Sequence, residues 1–306
     1  MKTESETHME FKKRVIALGF FDGIHLGHSA LMQKAAQIGE EQCLVASVIT
    51  FDTPPHNLIH NTKIGLINSL EDRAGLINRK FGIFDILFLH FDKETASIPW
   101  DGFIDYLVED FGARHLVAGN DFRFGYKGLG NSTLLVEKCA DIGVGCDIIA
   151  EVTLDGIKCS STYIRELLVA GEIERANAFL GHAHVLTDVV RYGYRLGRSL
   201  GTPTINMRFD DDVLIPAHGV YATKVYLQDG SEHIGVTNIG IRPTVDTVDG
   251  NVNVETHILN FRGNLYGHKV RLEFYTRLRP EIKFSNTEEL KNQIRQDCDA
   301  VSTYFA

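Results

Sequence analysis

The periodicity of apolar residues changes once along this chain, near residue 184, and that change limits the fold more than any other feature. Up to residue 182, strand-like apolar runs alternate with amphipathic, helix-like stretches, the pattern of an α/β domain built on a mostly parallel sheet. Strands are expected near 14–19, 44–50, 84–90, 114–119 and 145–151, and helices near 28–42, 70–80, 101–111, 132–142, 161–170 and 172–180. From about residue 185 the chain breaks into short alternating segments punctuated by Gly, Pro and Asp, including GVYATKVYLQDG, HIGVTNIG, VNVETHIL and KVRLEFYTRL. That is an all-β pattern, expected to form a small barrel. It closes with one helix-like segment in which Leu290, Ile294 and Val301 fall on one face. The boundary lies between Gly181 and His184, so 306 residues divide into domains 1–182 and 183–306.

Charge narrows the function classes. The formal net charge is −9, which argues against broad binding to nucleic acid or an anionic membrane, since both need an excess of Lys and Arg. Residues 1–182 carry 17 Lys+Arg against 25 Asp+Glu, and residues 183–306 carry 14 against 15. An anionic ligand must therefore be held locally. Ten of the 14 cations after residue 182 are Arg, the type suited to planar contacts with phosphate. Five cysteines without a C-x-x-C pair do not read as a disulfide framework and fit a reducing cytosol. The polar start has no apolar core of a leader, and the greasiest later stretch, FGIFDILFLHF, is short and interrupted by Asp85. A cytoplasmic protein with no membrane span is expected.

Two elements of the first domain suit phosphate chemistry. VIALGFFDGIHLGHSALMQKA reads as strand, Gly-rich turn and helix, and it brings His25 and His28 to a helix N-terminus. Free backbone N–H groups and the positive end of the helix dipole favour an anion there, and Gly19, Gly23 and Gly27 let the backbone come close. Imidazoles can donate to phosphate oxygens and strengthen that contact as charge develops on a departing pyrophosphate. A structural His pair or two zinc ligands would satisfy the same H-x-x-H spacing. The second element, CSSTYIRELLVAGEIERA, offers hydroxyls at Ser160, Ser161 and Thr162 as helix caps, with Arg165 one turn on. A plain cap followed by a solvated Arg fits equally. Between them, in AGNDFRFGYKG, Asp121, Arg123 and Phe124 follow a strand. Phe122 or Phe124 would face a ring system there, or the two would form a core aromatic pair.

In the β domain, YGYRLGRSLGTPTINM contains Gly193, Gly197, Gly201, Arg195 and Arg198 ahead of Thr204 and Asn206. Residues two apart on an extended segment point the same way, so Thr204 and Asn206 can both offer oxygens to Mg²⁺ or its phosphates. A turn after Pro203 is the other reading. In VNVETHIL, Val252, Val254 and Ile258 share one face and Asn253, Glu255 and His257 the other. Glu255 is then either a solvated strand residue or a base that accepts a proton from an attacking hydroxyl.

H-x-G-H directly after a strand ending in GFFDG resembles the nucleotidyltransferase superfamily. Over nearly its whole length the chain resembles the bacterial bifunctional riboflavin kinase/FMN adenylyltransferase (FAD synthetase) family, through GFFDGIHLGH, ITFDTPPH, AGNDFRFG, SSTYIR, LGH at 180–182, GRSLGTPTIN, HGVYATKV, TNIGIRPTV, VETHIL, LYGHKVRLEFYTRLRPEIKF and EELKNQIRQD, in family order. The resemblance implies a Rossmann-like nucleotidyltransferase domain followed by a small β-barrel kinase domain. It implies ATP, riboflavin and FMN as substrates, Mg²⁺ as cofactor, and no nucleic-acid or obligate protein partner. By it, His25, His28, Ser161, Thr162 and Arg165 hold and activate the ATP phosphates, together with the loop residues Gly19, Phe20, Asp22 and Gly23. Asp121, Phe122 and Phe124 help to place FMN. In the kinase, Gly197, Gly201 and Thr204 serve ATP, Thr204 and Asn206 the Mg²⁺, and Glu255 is the base on the terminal ribityl hydroxyl. Arg279 and Glu281 match the flavin-side segment.

Two departures from the family pattern stand out. Ile205 replaces a small residue between Thr204 and Asn206; alternation turns it away from them, so a packing change is expected and not loss of metal binding. After TFD the chain reads Thr53-Pro54-Pro55-His56, where the family runs directly into Pro-His-Pro. The alternatives are a chain that keeps one of the two activities, or a flavin- or nucleotide-binding regulator without turnover. In the regulator, His28, Thr204 and Glu255 would all be structural.

Overall fold

The structure, a computed structural model, describes residues 12–53, 64–193, 201–241 and 252–306. It divides into two compact units, one formed by 1–63 with 74–158 and the other by 64–73 with 159–306. The expected Pro54-Pro55-His56 departure and Gly197, Arg195 and Arg198 lie outside the described residues.

The first unit is built on five strands, β1 (Arg14–Leu18), β2 (Val45–Phe51), β3 (Asp85–Leu89), β4 (Ala113–Gly119) and β5 (Gly145–Ile149). They pair in parallel in the order β3-β2-β1-β4-β5. Helices α1 (Leu26–Gln42), α3 (Trp100–Glu109) and α4 (Ser132–Asp141) cover the sheet, and α2 (Leu70–Phe81) begins in the second unit's segment and ends in the first's. Burial on both faces is what the continuous apolar runs encode. Ile16, Leu18, Leu116 and Ala118 pack with Ile104 and Leu107 of α3 and Leu135 and Cys139 of α4. The alternate residues Val15, Ala17 and Val117 are also fully buried.

One carboxylate ties the amino ends of the sheet together. Asp85 accepts from Arg14 Nε at 2.7 Å, Ser47 Oγ at 2.7 Å and Lys12 Nζ at 3.2 Å. Partial burial pushes its pKa up, but these donors outweigh it and hold the carboxyl at about 2.

The second unit contains β8 (His184–Val189), β9 (Thr204–Met207), β10 (Gly219–Tyr226), β11 (Glu232–Ile241), β12 (Val252–Ile258) and β13 (Lys269–Arg279), after a small hairpin β6 (Thr153–Leu154) and β7 (Ile157–Lys158) in the first. The six strands form one antiparallel sheet, ordered β8-β13-β10-β11-β12-β9. It is curled into a half-barrel. Its two edges approach through a bridge, Arg191 N donating to Asn206 O at 2.8 Å just beyond β8. Helices α5 (Ser161–Ala170) and α6 (Ile173–Leu180) fall in this unit, as does α7 (Thr287–Tyr304). Asn286 caps α7 by accepting from Glu289 N at 2.9 Å, while Glu289 reaches back to Ser285 N, a reciprocal cap that fixes where the helix starts. Val301 of α7 packs on Val220, Ala222 and Val236.

Asn177 of α6 fastens that helix to the sheet, donating to Phe274 O at 2.7 Å and accepting from His184 N at 2.8 Å. The His184 ring is fully buried beside Phe209 and Phe274, and neither of its nitrogens has a hydrogen-bond partner among the described residues. Burial, aided by nearby His182, pulls its pKa down to about 3. Between the free value near 6.5 and that value the unfolded chain binds a proton that the folded chain does not, so stability falls as pH falls through this window. The slope is about 1.4 kcal/mol per pH unit for one proton. Urea midpoints at pH 7 and pH 4.5 should converge in His184→Leu relative to the parent chain; an unchanged difference would show that another group carries the acid sensitivity.

Candidate active sites

In the first unit the sheet order reverses between β1 and β4, and loops leaving the carboxyl ends of such strands form the ligand crevice of doubly wound folds. The loop after β1 carries Gly19 to His25. Its backbone is unusual: Phe21 (φ 53°) and Ile24 (φ 47°) are both left-handed, a costly state for a β-branched residue. Phe21, Asp22, Ile24 and His25 are nonetheless buried, and Thr50 Oγ1 of β2 donates to Phe20 O at 2.7 Å. Gly19 lies directly under the Phe21 ring, where a Cβ would overlap it. The chain thus spends strain to hold this loop in one shape.

His25 is the N-cap of α1, its Nδ1 accepting from His28 N at 3.3 Å. A neutral ring that accepts at Nδ1 carries its proton on Nε2, which makes that atom a donor. The two imidazoles stack at 3.6 Å, and the Phe21 ring meets His28 edge-on at 5.1 Å. The expected placement of both histidines at the start of α1 is therefore what the structure has.

The loop after β4 carries Asp121. Lys158 Nζ binds Asp121 Oδ2 at 2.7 Å and Glu151 Oε2 at 2.9 Å. Phe122 and Phe124 stack on each other at 5.4 Å, and Phe124, nearly fully buried, also meets Phe103 in the core. For Phe124 the core-pair alternative describes the ring, because its surface is already occupied by protein. Asp52, closing the ITFD segment, accepts from His90 Nδ1 at 2.8 Å.

In the second unit Ser160 is the N-cap of α5, accepting from Tyr163 N at 3.3 Å, so Ser161 and Thr162 occupy its first turn. Arg165 Nε donates to Gly65 O at 2.9 Å.

The residues singled out on the strands of the second unit converge more visibly. β12 and β9 pair so that Glu255 stands opposite Asn206, and His257 opposite Thr204. Asn253 Nδ2 reaches both Glu255 Oε1 (2.9 Å) and Asn206 Oδ1 (3.2 Å), orienting two acceptors with one amide. Asn206 is buried, and a Cβ on Gly193 would occupy the space of its carboxamide, so Gly193 is the residue that admits it. Gly201 adopts φ +81° with open space around it, a left-handed turn residue ahead of β9.

A cavity of about 230 Å³ lies between this face and α7, lined by Thr204, Glu255, Arg279 and Glu281 together with Asn238, His257, Phe284, Leu290 and Ile294. Four residues singled out from the sequence thus share one cavity. Arg279 is held bidentately by Asp297 of α7, at 3.0 and 2.7 Å, and Glu281 packs over Gly240 and accepts from Asn238 Nδ2 at 3.2 Å. A second cavity of about 230 Å³ also reaches Thr204 and is lined by Val190, Ile205, Thr256, Phe261 and Tyr266. Ile205 thus forms wall in the second cavity, not in the first.

Asn253, Asn238, Gly193, Gly240 and Asp297 were not singled out for these tasks by sequence. Four of them could have been found: Asn253 shares the Glu255 face by alternation, Asn238 and Gly240 lie within TNIGIRPTV, and Asp297 lies within EELKNQIRQD.

Comparison with known proteins bears on both units. A FAD synthetase family model matches residues 7–163, and a riboflavin kinase model matches residues 180–305. A Listeria monocytogenes bifunctional riboflavin kinase/FMN adenylyltransferase is 35% identical over 295 residues, covering 96% of this chain and 93% of its own. The chain belongs to the bifunctional riboflavin kinase/FMN adenylyltransferase family. A Bacillus subtilis member is 34% identical over 315 residues, covering 100% of this chain and 99% of its own. Among solved structures, a Streptococcus pneumoniae protein described as a macrolide-efflux protein superposes with a TM-score of 0.83 at 26% identity, over 95% of this chain and 94% of that one. No helix among the described residues here is long and apolar enough to cross a membrane.

Proposed function

We propose that the chain phosphorylates riboflavin with ATP to give FMN and then adenylylates FMN with a second ATP to give FAD and pyrophosphate. The observation that carries this is the cavity gathering Thr204, Glu255, Arg279 and Glu281 in a chain that both family models match.

In the kinase reaction, Glu255 accepts the proton of the terminal ribityl hydroxyl as its oxygen attacks the γ-phosphorus of ATP, and the bond to the ADP oxygen breaks. The Asn253 amide keeps the Glu255 carboxylate aimed, since it already donates to it. Riboflavin takes the cavity with Arg279 and Glu281, whose apolar wall of Phe284, Leu290 and Ile294 suits a flat ring system. The nucleotide takes the other cavity, because Thr204 borders both and its hydroxyl is assigned to the phosphates.

Asn206 and Thr204 would hold a divalent cation, which we assign as Mg²⁺. The donor set, a hydroxyl and a carboxamide oxygen two residues apart on β9, consists of hard oxygens and so fits one. A cation so placed keeps water and nucleotide phosphates as most of its ligands. When bound, it neutralises charge on the transferred phosphoryl group.

In the adenylylation, a phosphate oxygen of FMN attacks the α-phosphorus of ATP and pyrophosphate leaves. His25 Nε2 and His28 donate to the phosphates as that charge builds. Gly19, Phe20, Asp22 and Gly23 shape the loop around them, Ser161, Thr162 and Arg165 are assigned to the ATP phosphates, and Asp121 to FMN, on the family resemblance.

Incubation with riboflavin, ATP and Mg²⁺, followed by chromatography, should show FMN first and FAD later, and both should stop in excess chelator. FMN with no FAD would leave a kinase alone, and turnover persisting in chelator would remove the cation from the proposal.

A further inference from the structure

The inner face of α7 carries a charge where docking a helix calls for none. Leu290, Ile294, Asp297 and Val301 recur at spacings of three and four and so share one face. Val301 packs on the sheet, while Leu290, Ile294 and Asp297 line the cavity assigned to riboflavin. Asp297 is only 4% exposed. Its Oδ1 accepts from Arg279 Nε and from Gln293 Nε2, each at 3.0 Å, and its Oδ2 accepts from Arg279 Nη2 at 2.7 Å. Such a buried ion pair is a weak source of stability, because desolvating two charges offsets most of their attraction, and an apolar pair of similar volume would dock the helix as well. The reciprocal cap at Asn286 and the packing of Val301 already fix where α7 lies.

What the pair does supply is a guanidinium held in one orientation at the cavity wall, since Arg279 lines the cavity too. A guanidinium has five N–H donors in one plane. Nε–H and one N–H of Nη2 go to Asp297, and one N–H of Nη1 goes to Pro280 O at 3.1 Å. One donor on each of Nη1 and Nη2 is left for a ligand, and the Asp297 charge offsets that of Arg279 where an uncharged molecule has to bind. Two fixed donors beside the apolar side chains of Phe284, Leu290 and Ile294 match a flat, uncharged ring that bears carbonyl oxygens, which is the chemistry of the flavin ring.

We propose that Asp297 is a positioning residue for riboflavin, which acts through Arg279 and makes α7 part of the flavin site, a role that rests on assigning this cavity to riboflavin. Asp297→Asn keeps the shape but sets an amide N–H against a guanidinium N–H. It should raise KM for riboflavin in FMN formation about tenfold, the effect of losing one hydrogen bond to a charged group, and leave KM for ATP unchanged. Asp297→Glu, which keeps the carboxylate, should recover part of that loss. Arg279→Lys should raise KM for riboflavin by a similar factor, and adding Asp297→Asn to it should raise KM no further, because the two side chains act as one unit. An unmoved KM for riboflavin in Asp297→Asn, or effects that multiply in the double variant, overturns the positioning role. If Arg279→Lys alone still raises KM for riboflavin, the cavity assignment survives that result. A rise in KM for ATP in both single variants, with riboflavin unaffected, instead discards the cavity assignment, and the positioning role with it.

Discussion

Replacing Glu255 with Gln is expected to lower FMN formation from riboflavin by roughly a thousandfold, within the range a positioned general base supplies, while FAD formation from supplied FMN stays near the parent rate. Gln keeps the shape and can still meet Asn253, which donates to Glu255 at 2.9 Å, so the loss would report the missing basic oxygen and not a collapsed strand. The expected signature is a fall in kcat with little change in KM for ATP. If Glu255→Gln retains more than about a tenth of the parent kcat, where base catalysis is worth at least a hundredfold, then Glu255 is the solvated strand residue that its sequence position equally allowed.

Replacing His28 with Ala should do the reverse. FAD formation should drop by about a hundredfold to a thousandfold, the usual effect of removing one donor aimed at developing charge, and FMN formation should persist. The ring also packs, stacked on His25 at 3.6 Å and edge-on to Phe21 at 5.1 Å. A loss in His28→Ala alone would therefore mix chemistry with loop geometry. His28→Asn, which restores a donor in a smaller volume, should recover part of the rate; no recovery with an intact fold would point to packing of the strained loop as the whole effect.

Much of the architecture follows from local pattern. Parallel strands buried on both faces need continuous apolar runs, and RVIAL, VASVITF and ARHLVAG became β1, β2 and β4 within a residue or two of the expected limits. Helix α1 begins at Leu26, two residues before the expected start, because His25 itself is the cap and an imidazole is not among the residues that signal one. Alternation in β12 placed Glu255 and Asn253 on one face correctly, but it read the opposite face as apolar. Thr256 lies there fully buried, its hydroxyl joined to Thr237 and through it to Thr223 at 2.8 Å each. Such a ladder depends on which strands become neighbours, and no single strand encodes that.

The sites divide in the same way. Motif residues within one turn or one strand, such as His25 with His28 or Thr204 with Asn206, are local and visible. The groups that orient them come from elsewhere in the chain: Asn253 for Asn206, Gly193 for the same carboxamide, Asp297 for Arg279, Lys158 for Asp121. Phe124 was open between core and ligand because an aromatic beside Gly reads the same in both, and only its burial against Phe103 decides.

Two independent sites on one chain can be tested by mixing the two crippled proteins. Glu255→Gln and His28→Ala, each incubated alone with riboflavin, ATP and Mg²⁺, should make almost no FAD, the first stopping at riboflavin and the second accumulating FMN. Mixed at equal concentration they should restore steady FAD formation, because FMN released by the His28 variant is a substrate for the intact first unit of the Glu255 variant. FMN accumulating in the mixture without FAD would contradict a division of the two reactions between these two residues.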